Sequence, residues 1–319
     1  MPGPGGGPGL IKEGPDAAAA VAAEQRRTTS RRDLQQRHAS FGALSPETGQ
    51  LDMDAVEAGM AADAEETLAL LADAAGATDE RLRALAGSAA ARIVLDFAAP
   101  SRSARGHGAA RLRTSRLPDT GGDIDLDASL EGLAAARAGR RPADPGELRG
   151  RLWHRPDVGL CLLIDRSGSM GGERLATAAV AASAVALRAA LDFSVVAFGE
   201  DAVIVKGQRA TRPPADVVGD LIALRGHGPT DLALGLRAAA AQLAWSPAGR
   251  RLVIVMSDCR ATAGDDPVVE ALALPEVAVM APAADAADAR SFADATGSTF
   301  TVVHGPASVP EAFAALLDR

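Results

Sequence analysis

The chain has 319 residues, 47% of them hydrophobic and 23% charged, a composition that supports one or two domains with buried cores and places it among ordinary soluble proteins. A formal net charge of −8 argues against a dedicated nucleic-acid binder, which carries net positive charge or a basic stripe to neutralise phosphates. Two cysteines, Cys161 and Cys259, are too few for a disulfide framework and follow no metal-ligand spacing, so both are expected to be reduced, buried small hydrophobes.

Residues 1–50 are rich in Gly, Pro, Ser, Thr, Gln and Arg without a sustained apolar period, and are expected to be disordered or loosely structured. The amino terminus lacks the basic start and apolar core of a secretory signal, and the most apolar stretch, 176–191, is interrupted by Arg188. Neither export nor a membrane span is expected, and the cytoplasm is the expected compartment. Residues 51–99 form a helical region in which Leu68, Leu71 and Ala75, then Leu82, Leu85 and Ala89, recur at helical spacing.

Residues 100–156 read as a linker with an Asp-rich lead-in and one short helix. Arg102, Arg105, Arg111, Arg113 and Arg116 make a local basic run, read as a solvated connector. The aspartates Asp123, Asp125 and Asp127 invite a calcium-loop reading that fails on spacing. Counting from Asp123, the Gly and Glu an EF-hand needs at positions six and twelve are Ala128 and Ala134. Asp127 is instead expected to cap the helix over 128–138.

From 157 to 319 short apolar runs alternate with helical patterns. Strands are expected at 158–164, 193–198, 202–205, 252–256, 277–281 and 300–303; helices at 173–191, 214–224, 232–244, 266–274, 286–296 and 310–317. This is the pattern of an α/β fold with a doubly wound, mostly parallel sheet. The runs 193–198 and 202–205 are separated only by Gly199, Glu200 and Asp201, which predicts one antiparallel hairpin at an edge.

In open parallel sheets, ligands bind beyond the carboxyl ends of the strands. Asp165, Ser167 and Ser169 follow the first strand of this domain, and Asp258 follows the run 252–256. Between them lies the Gly-rich loop 226–231, with Thr230 and Asp231 ahead of a helix. On a turning loop Asp165, Ser167 and Ser169 can direct oxygens to one point, while Arg166 and Met170 face elsewhere. Two carboxylates and several hydroxyls suit a hard cation such as Mg²⁺ and leave it incompletely neutralised. Such an ion seeks one more anionic oxygen, from a Glu or Asp of a partner protein.

These residues resemble, in type and order, the metal-ion-dependent adhesion site (MIDAS) of von Willebrand factor A (VWA) domains, over about residues 157–319. The resemblance implies a VWA fold and the ligands Asp165, Ser167, Ser169, Thr230 and Asp258 around Mg²⁺, with Mn²⁺ as an alternative. Asp258 would act through water. Cys259 departs from the pattern, since many relatives have Gly there. The upstream helices and Asp-rich lead-in resemble bacterial cytoplasmic CoxE-like and magnesium-chelatase D-subunit proteins. That resemblance implies an adaptor for a MoxR-type AAA+ ATPase in metal insertion or protein maturation, with neither nucleic acid nor membrane as partner.

The competing reading is an enzyme. Ser169, His304 and Asp258 could form a hydrolase triad, but the loop lacks the Gly-x-Ser-x-Gly elbow. A Mg²⁺-dependent phosphatase on Asp165, Ser169 and Asp258 lacks the second Asp, because position 167 is Ser. No Gly-x-x-x-x-Gly-Lys-Ser/Thr loop is present, so ATP hydrolysis is not expected. The five histidines show no zinc spacing, and His227 reads as a loop residue. A noncatalytic binding module is the expectation.

Overall fold

A computed structural model describes residues 10–98, 111–116, 123–139, 141–144, 148–154, 158–166, 177, 180–182, 192–224 and 228–317. Two compact units emerge: residues 1–100 with 158–317, and residues 101–157. In the first unit, β1 (Ile11–Lys12) leads into helices α1 (Pro15–Gln25), α2 (Arg31–Arg37), α3 (Phe41–Leu44), α4 (Met53–Ala62), α5 (Ala64–Ala74) and α6 (Glu80–Ala98). The second unit holds β2 (Arg111–Arg116), β3 (Asp123–Ile124), α7 (Leu126–Ala138) and β4 (Arg149–His154).

The first unit then continues with β5 (Val158–Asp165), β6 (Phe193–Phe198), β7 (Ala202–Lys206), α8 (Pro214–Ala223), α9 (Leu232–Leu243) and β8 (Arg250–Met256). It closes with α10 (Pro267–Leu272), β9 (Val277–Pro282), α11 (Ala287–Thr296), β10 (Thr299–Val303) and α12 (Val309–Leu317). Of the expected helix 173–191, residues 177 and 180–182 are described and helical. The seven-stranded sheet has the order β1-β7-β6-β5-β8-β9-β10, parallel throughout except for the pair β6–β7.

Alternation along β5 divides the core. Leu160, Leu162 and Ile164 enter one apolar cluster, and Cys161 and Leu163 the other, as expected of a strand covered on both faces. On the second face α9 lies close to β6 because it carries Gly235, where a Cβ would stand 2.8 Å from the Phe198 ring. The expected strands lie within two residues of the observed ones. The antiparallel hairpin is present, but β7 is not the edge of the sheet: Ile11 and Lys12 pair in parallel with Ala202 and Val203.

The expectation of a loosely structured segment up to residue 50 fails for residues 10–50. Val21, Leu34, Phe41 and Leu44 are buried in the same cluster as Leu160 and Ile164, so these helices share the core of the sheet. Their local chemistry is ordinary: Pro15 opens α1, and Ser30, Asp52 and Asp63 cap α2, α4 and α5 through backbone amides. The helices are short and Ala- or Arg-rich, so one or two anchors each give no visible period. The expected linker 100–156 also contains structure, since β2 and β3 both pair antiparallel with β4. Its helix begins at Leu126 and is capped by Asp125, which accepts from the Ala128 amide at 3.1 Å; the expected cap, Asp127, lies inside the helix.

His38 ties α2 to α5. Its two ring nitrogens meet Glu66 and Asp73, each at 2.9 Å. The hydrogen bond to Asp73 raises its pKa above 6.5 against the opposing effect of burial, with Glu66 adding in the same direction. A raised value means that this contribution to stability is complete below the unfolded pKa and is lost as pH rises through the folded one. The gap in thermal midpoint between the wild type and His38→Gln is therefore expected to be wider at about pH 5.5 than at about pH 9. Phe41, fully buried, gives a second check: Phe41→Ala is expected to cost ~3–5 kcal/mol in denaturant unfolding, whereas a loose segment would show no loss.

Candidate metal centre at the carboxyl end of the sheet

Strand register sets the site. Ile164 of β5 is level with Met256 of β8, so the residues leaving the two strands, Asp165 and Ser257, stand side by side. The Ser257 hydroxyl donates to Asp165 Oδ2 at 2.6 Å and accepts from the Cys259 amide at 2.8 Å. Asp258 Oδ1 accepts from the Arg260 amide at 3.0 Å. Arg260 in turn reaches Asp285 and Asp288, which ties this loop to the segment entering α11.

The third loop arrives from the other side. Gly199, leaving β6, accepts from the Asp231 amide at 2.9 Å, and Asp231 caps α9 by accepting from the Leu234 amide at 2.8 Å. Thr230 is bound reciprocally to the loop after β8: its amide donates to the Thr262 hydroxyl at 2.9 Å, and its carbonyl accepts from the Thr262 amide at 3.0 Å. Gly264, at φ +87°, lies against the Asp231 carboxylate so closely that any Cβ there would collide with it.

Asp165, Thr230 and Asp258 therefore share one end of the sheet, and all three are buried, at 1%, 4% and 6% exposure. Ser167 and Ser169 lie outside the described residues, as does His227. His304 follows β10, which β9 separates from β8. Among the described residues no group of three His, Cys, Asp or Glu side chains is placed to hold a metal. The donor set fits a hard cation taking few carboxylates: two buried carboxylates and a hydroxyl, all oxygen, with no imidazole or thiolate among them.

Ser257 and Thr262 are the polar groups whose parts sequence reasoning left unassigned. Ser257 had a signal, a hydroxyl one residue past a strand in register with β5; Thr262, five residues farther on in a loop, had none. Cys161 and Cys259 are both buried and unpaired, as expected. Burial pushes the Cys161 thiol up to about 12. Cys259 is also raised, first by burial and then by the charges of Asp165 and Asp258. Among the described residues, no helix is long and apolar enough to cross a membrane.

The departure at Cys259 has a conformational meaning. It is the one non-glycine residue with positive φ, +56°, among the described residues, a left-handed conformation that glycine adopts at no steric cost. A β-branched side chain suffers most there. Cys259→Val is accordingly expected to be less stable than Cys259→Ala by about 1 kcal/mol or more in denaturant unfolding, although valine buries more apolar surface than alanine.

Solved structures similar to this chain include a von Willebrand factor type A protein from Catenulispora acidiphila, at 20% identity over 51% of this chain and 42% of that one, with a TM-score of 0.41. Manganese-loaded TRAP protein of Plasmodium vivax matches at 17% identity over 51% and 72%, TM-score 0.42. Proximal thread matrix protein 1 from the mussel byssus, with a zinc-occupied MIDAS motif, matches at 15% identity over 51% and 45%, TM-score 0.42. The chain spans less than half the length of the first of these solved relatives. No curated protein matches it. A family model does, across residues 98–290, more than half of the chain, and on that match the chain belongs to the VWA domain containing CoxE-like proteins.

Proposed function

We propose that this protein is a noncatalytic, metal-dependent protein-binding module. The observation that carries the reading is the meeting of two buried carboxylates, Asp165 and Asp258, with the Thr230 loop at the carboxyl end of a parallel sheet. Asp165, Ser167, Ser169 and Thr230 would hold Mg²⁺ or Mn²⁺, with Asp258 acting through water. When bound, the cation supplies an open coordination position for an outside carboxylate.

The chain's own groups prepare that position. The Ser257 hydroxyl orients Asp165, the Arg260 amide orients Asp258, and Thr262 fixes the backbone that carries Thr230. Donors around ligating carboxylates set geometry and affinity in this way. The metal named for the mussel and Plasmodium neighbours agrees with a divalent ion. A Glu or Asp of a partner protein fills the open position, and a MoxR-type AAA+ ATPase in the cytoplasm is the partner we propose, with this chain as adaptor in metal insertion or protein maturation.

Asp165→Ala is expected to abolish Mg²⁺-dependent retention of partner proteins from the native cell, and EDTA to release them from the wild type, while the thermal midpoint of the metal-free protein shows a folded chain. Equal capture by wild type, Asp165→Ala and EDTA-treated protein would remove this reading. Metal-dependent turnover of generic phosphate or ester substrates, lost in Ser169→Ala, would replace it with the hydrolytic one.

A further inference from the structure

Arg166 is the residue directly after Asp165, and its amide continues the sheet by donating to the Phe198 carbonyl at 2.8 Å. Successive side chains of an extended chain point to opposite faces, so Arg166 leaves the face on which Asp165 meets Ser257. Its guanidinium is buried and pairs with Asp201 in the β6–β7 turn. Asp201 also pairs with Lys12 of β1. That strand is held in place by its register with Ala202 and Val203 and by the Leu10 carbonyl, which accepts from the Ala202 amide at 2.8 Å.

The junction is not close-packed. A cleft of about 380 Å³ opens there, lined by Leu10, Lys12, Ala23, Glu24, Arg166 and Asp201 among others. Beside the backbone pairing of β1 and the buried apolar residues Ala17 and Val21 of α1, the two ion pairs add a polar tie between the amino-terminal arm and the rim of the sheet. A buried Arg–carboxylate pair is seldom more stabilising than well-packed apolar residues, because both charges must be stripped of water. The buried Arg166 Nε, which has no hydrogen-bond partner among the described residues, adds to that cost. What such a pair supplies is a defined position.

The geometry points to Arg166 as a positioning residue: through the chain Lys12–Asp201–Arg166, the amino-terminal arm fixes the end of β5 and with it the neighbouring Asp165. Affinity for a divalent cation is thereby set in part by a segment far away in sequence. The inference rests on the metal-binding reading of Asp165 given above. It deepens that reading by giving the amino-terminal strand β1 a part in tuning the site.

The test is titration of the full chain with Mn²⁺, followed by the loss of the free-ion electron paramagnetic resonance signal, beside thermal unfolding of the metal-free proteins. Asp201→Asn, which keeps shape and removes charge, is expected to bind Mn²⁺ about tenfold more weakly, the scale on which groups behind metal ligands act. Lys12→Met, on the partly exposed arm, is expected to weaken binding in the same direction. The double variant is expected to bind no more weakly than Asp201→Asn alone, because both changes act through one carboxylate.

Wild-type affinity in a folded Asp201→Asn protein would overturn the inference. Should that variant fail to fold, Lys12→Met with wild-type affinity would overturn it equally. Failure of the metal-binding reading has a different signature: the wild type would not take up Mn²⁺, or Asp165→Ala would take it up as well as the wild type does.

Discussion

The in-register parallel pairing of β5 with β8 is the constraint from which the site follows. Parallel neighbours run to the same end of a sheet, and matched register makes Asp165 and Ser257 emerge side by side. Side chains alternate with a period of two, so a slip of one residue would turn Asp165 to the other face and exchange Leu160, Leu162 and Ile164 with Cys161 and Leu163. The two faces differ in what they hold: one receives the helical region and the other receives α9, with its close approach at Gly235. Packing on both faces therefore specifies the register, and the register specifies the chemistry.

The helical region is an integral layer of this architecture. Leu34, Phe41, Leu68, Leu71 and Leu82 are in one buried cluster with Leu160, Leu162 and Ile164, which Val217 and Leu221 of α8 and Phe313 of α12 also join. Each such side chain contributes about 1.5–3 kcal/mol when taken out of water. Separating the sheet from these helices would expose an apolar surface that a folded monomer does not tolerate. The family match begins at residue 98, beyond most of these helices, yet the core extends across that boundary.

Much of this was legible in the sequence, for particular reasons. The strands are continuous apolar runs of β-branched and aliphatic residues, and a strand buried on both faces can hardly read otherwise. Asp165, Thr230 and Asp258 were visible because each follows, or sits between, such runs at the end where ligands gather. The helices of residues 10–50 were not legible, because each is short and carries only one or two buried anchors, Leu34 in α2 and Phe41 with Leu44 in α3. Nor were β2 and β4, whose residues include Arg, Ser and Gly and whose partners lie far along the chain. The lock between Thr230 and Thr262 is a tertiary hydrogen bond between two loops, a kind of contact that local spacing does not encode.

The two-residue strand β1 carries a consequence for how the chain reaches this fold. Ile11 emerges from the ribosome about 190 positions ahead of Ala202, its partner, and joining them closes one of the longest loops in the molecule. So short a ladder repays little of that closure entropy, which makes it a late event, after the β6–β7 hairpin and the apolar core have formed. Until it docks, the outer side of β7 presents unpaired amides and carbonyls to any neighbouring nascent chain. The arm thus behaves as a clasp that shuts last, and the interval before it shuts is when the molecule is most open to association with its own kind.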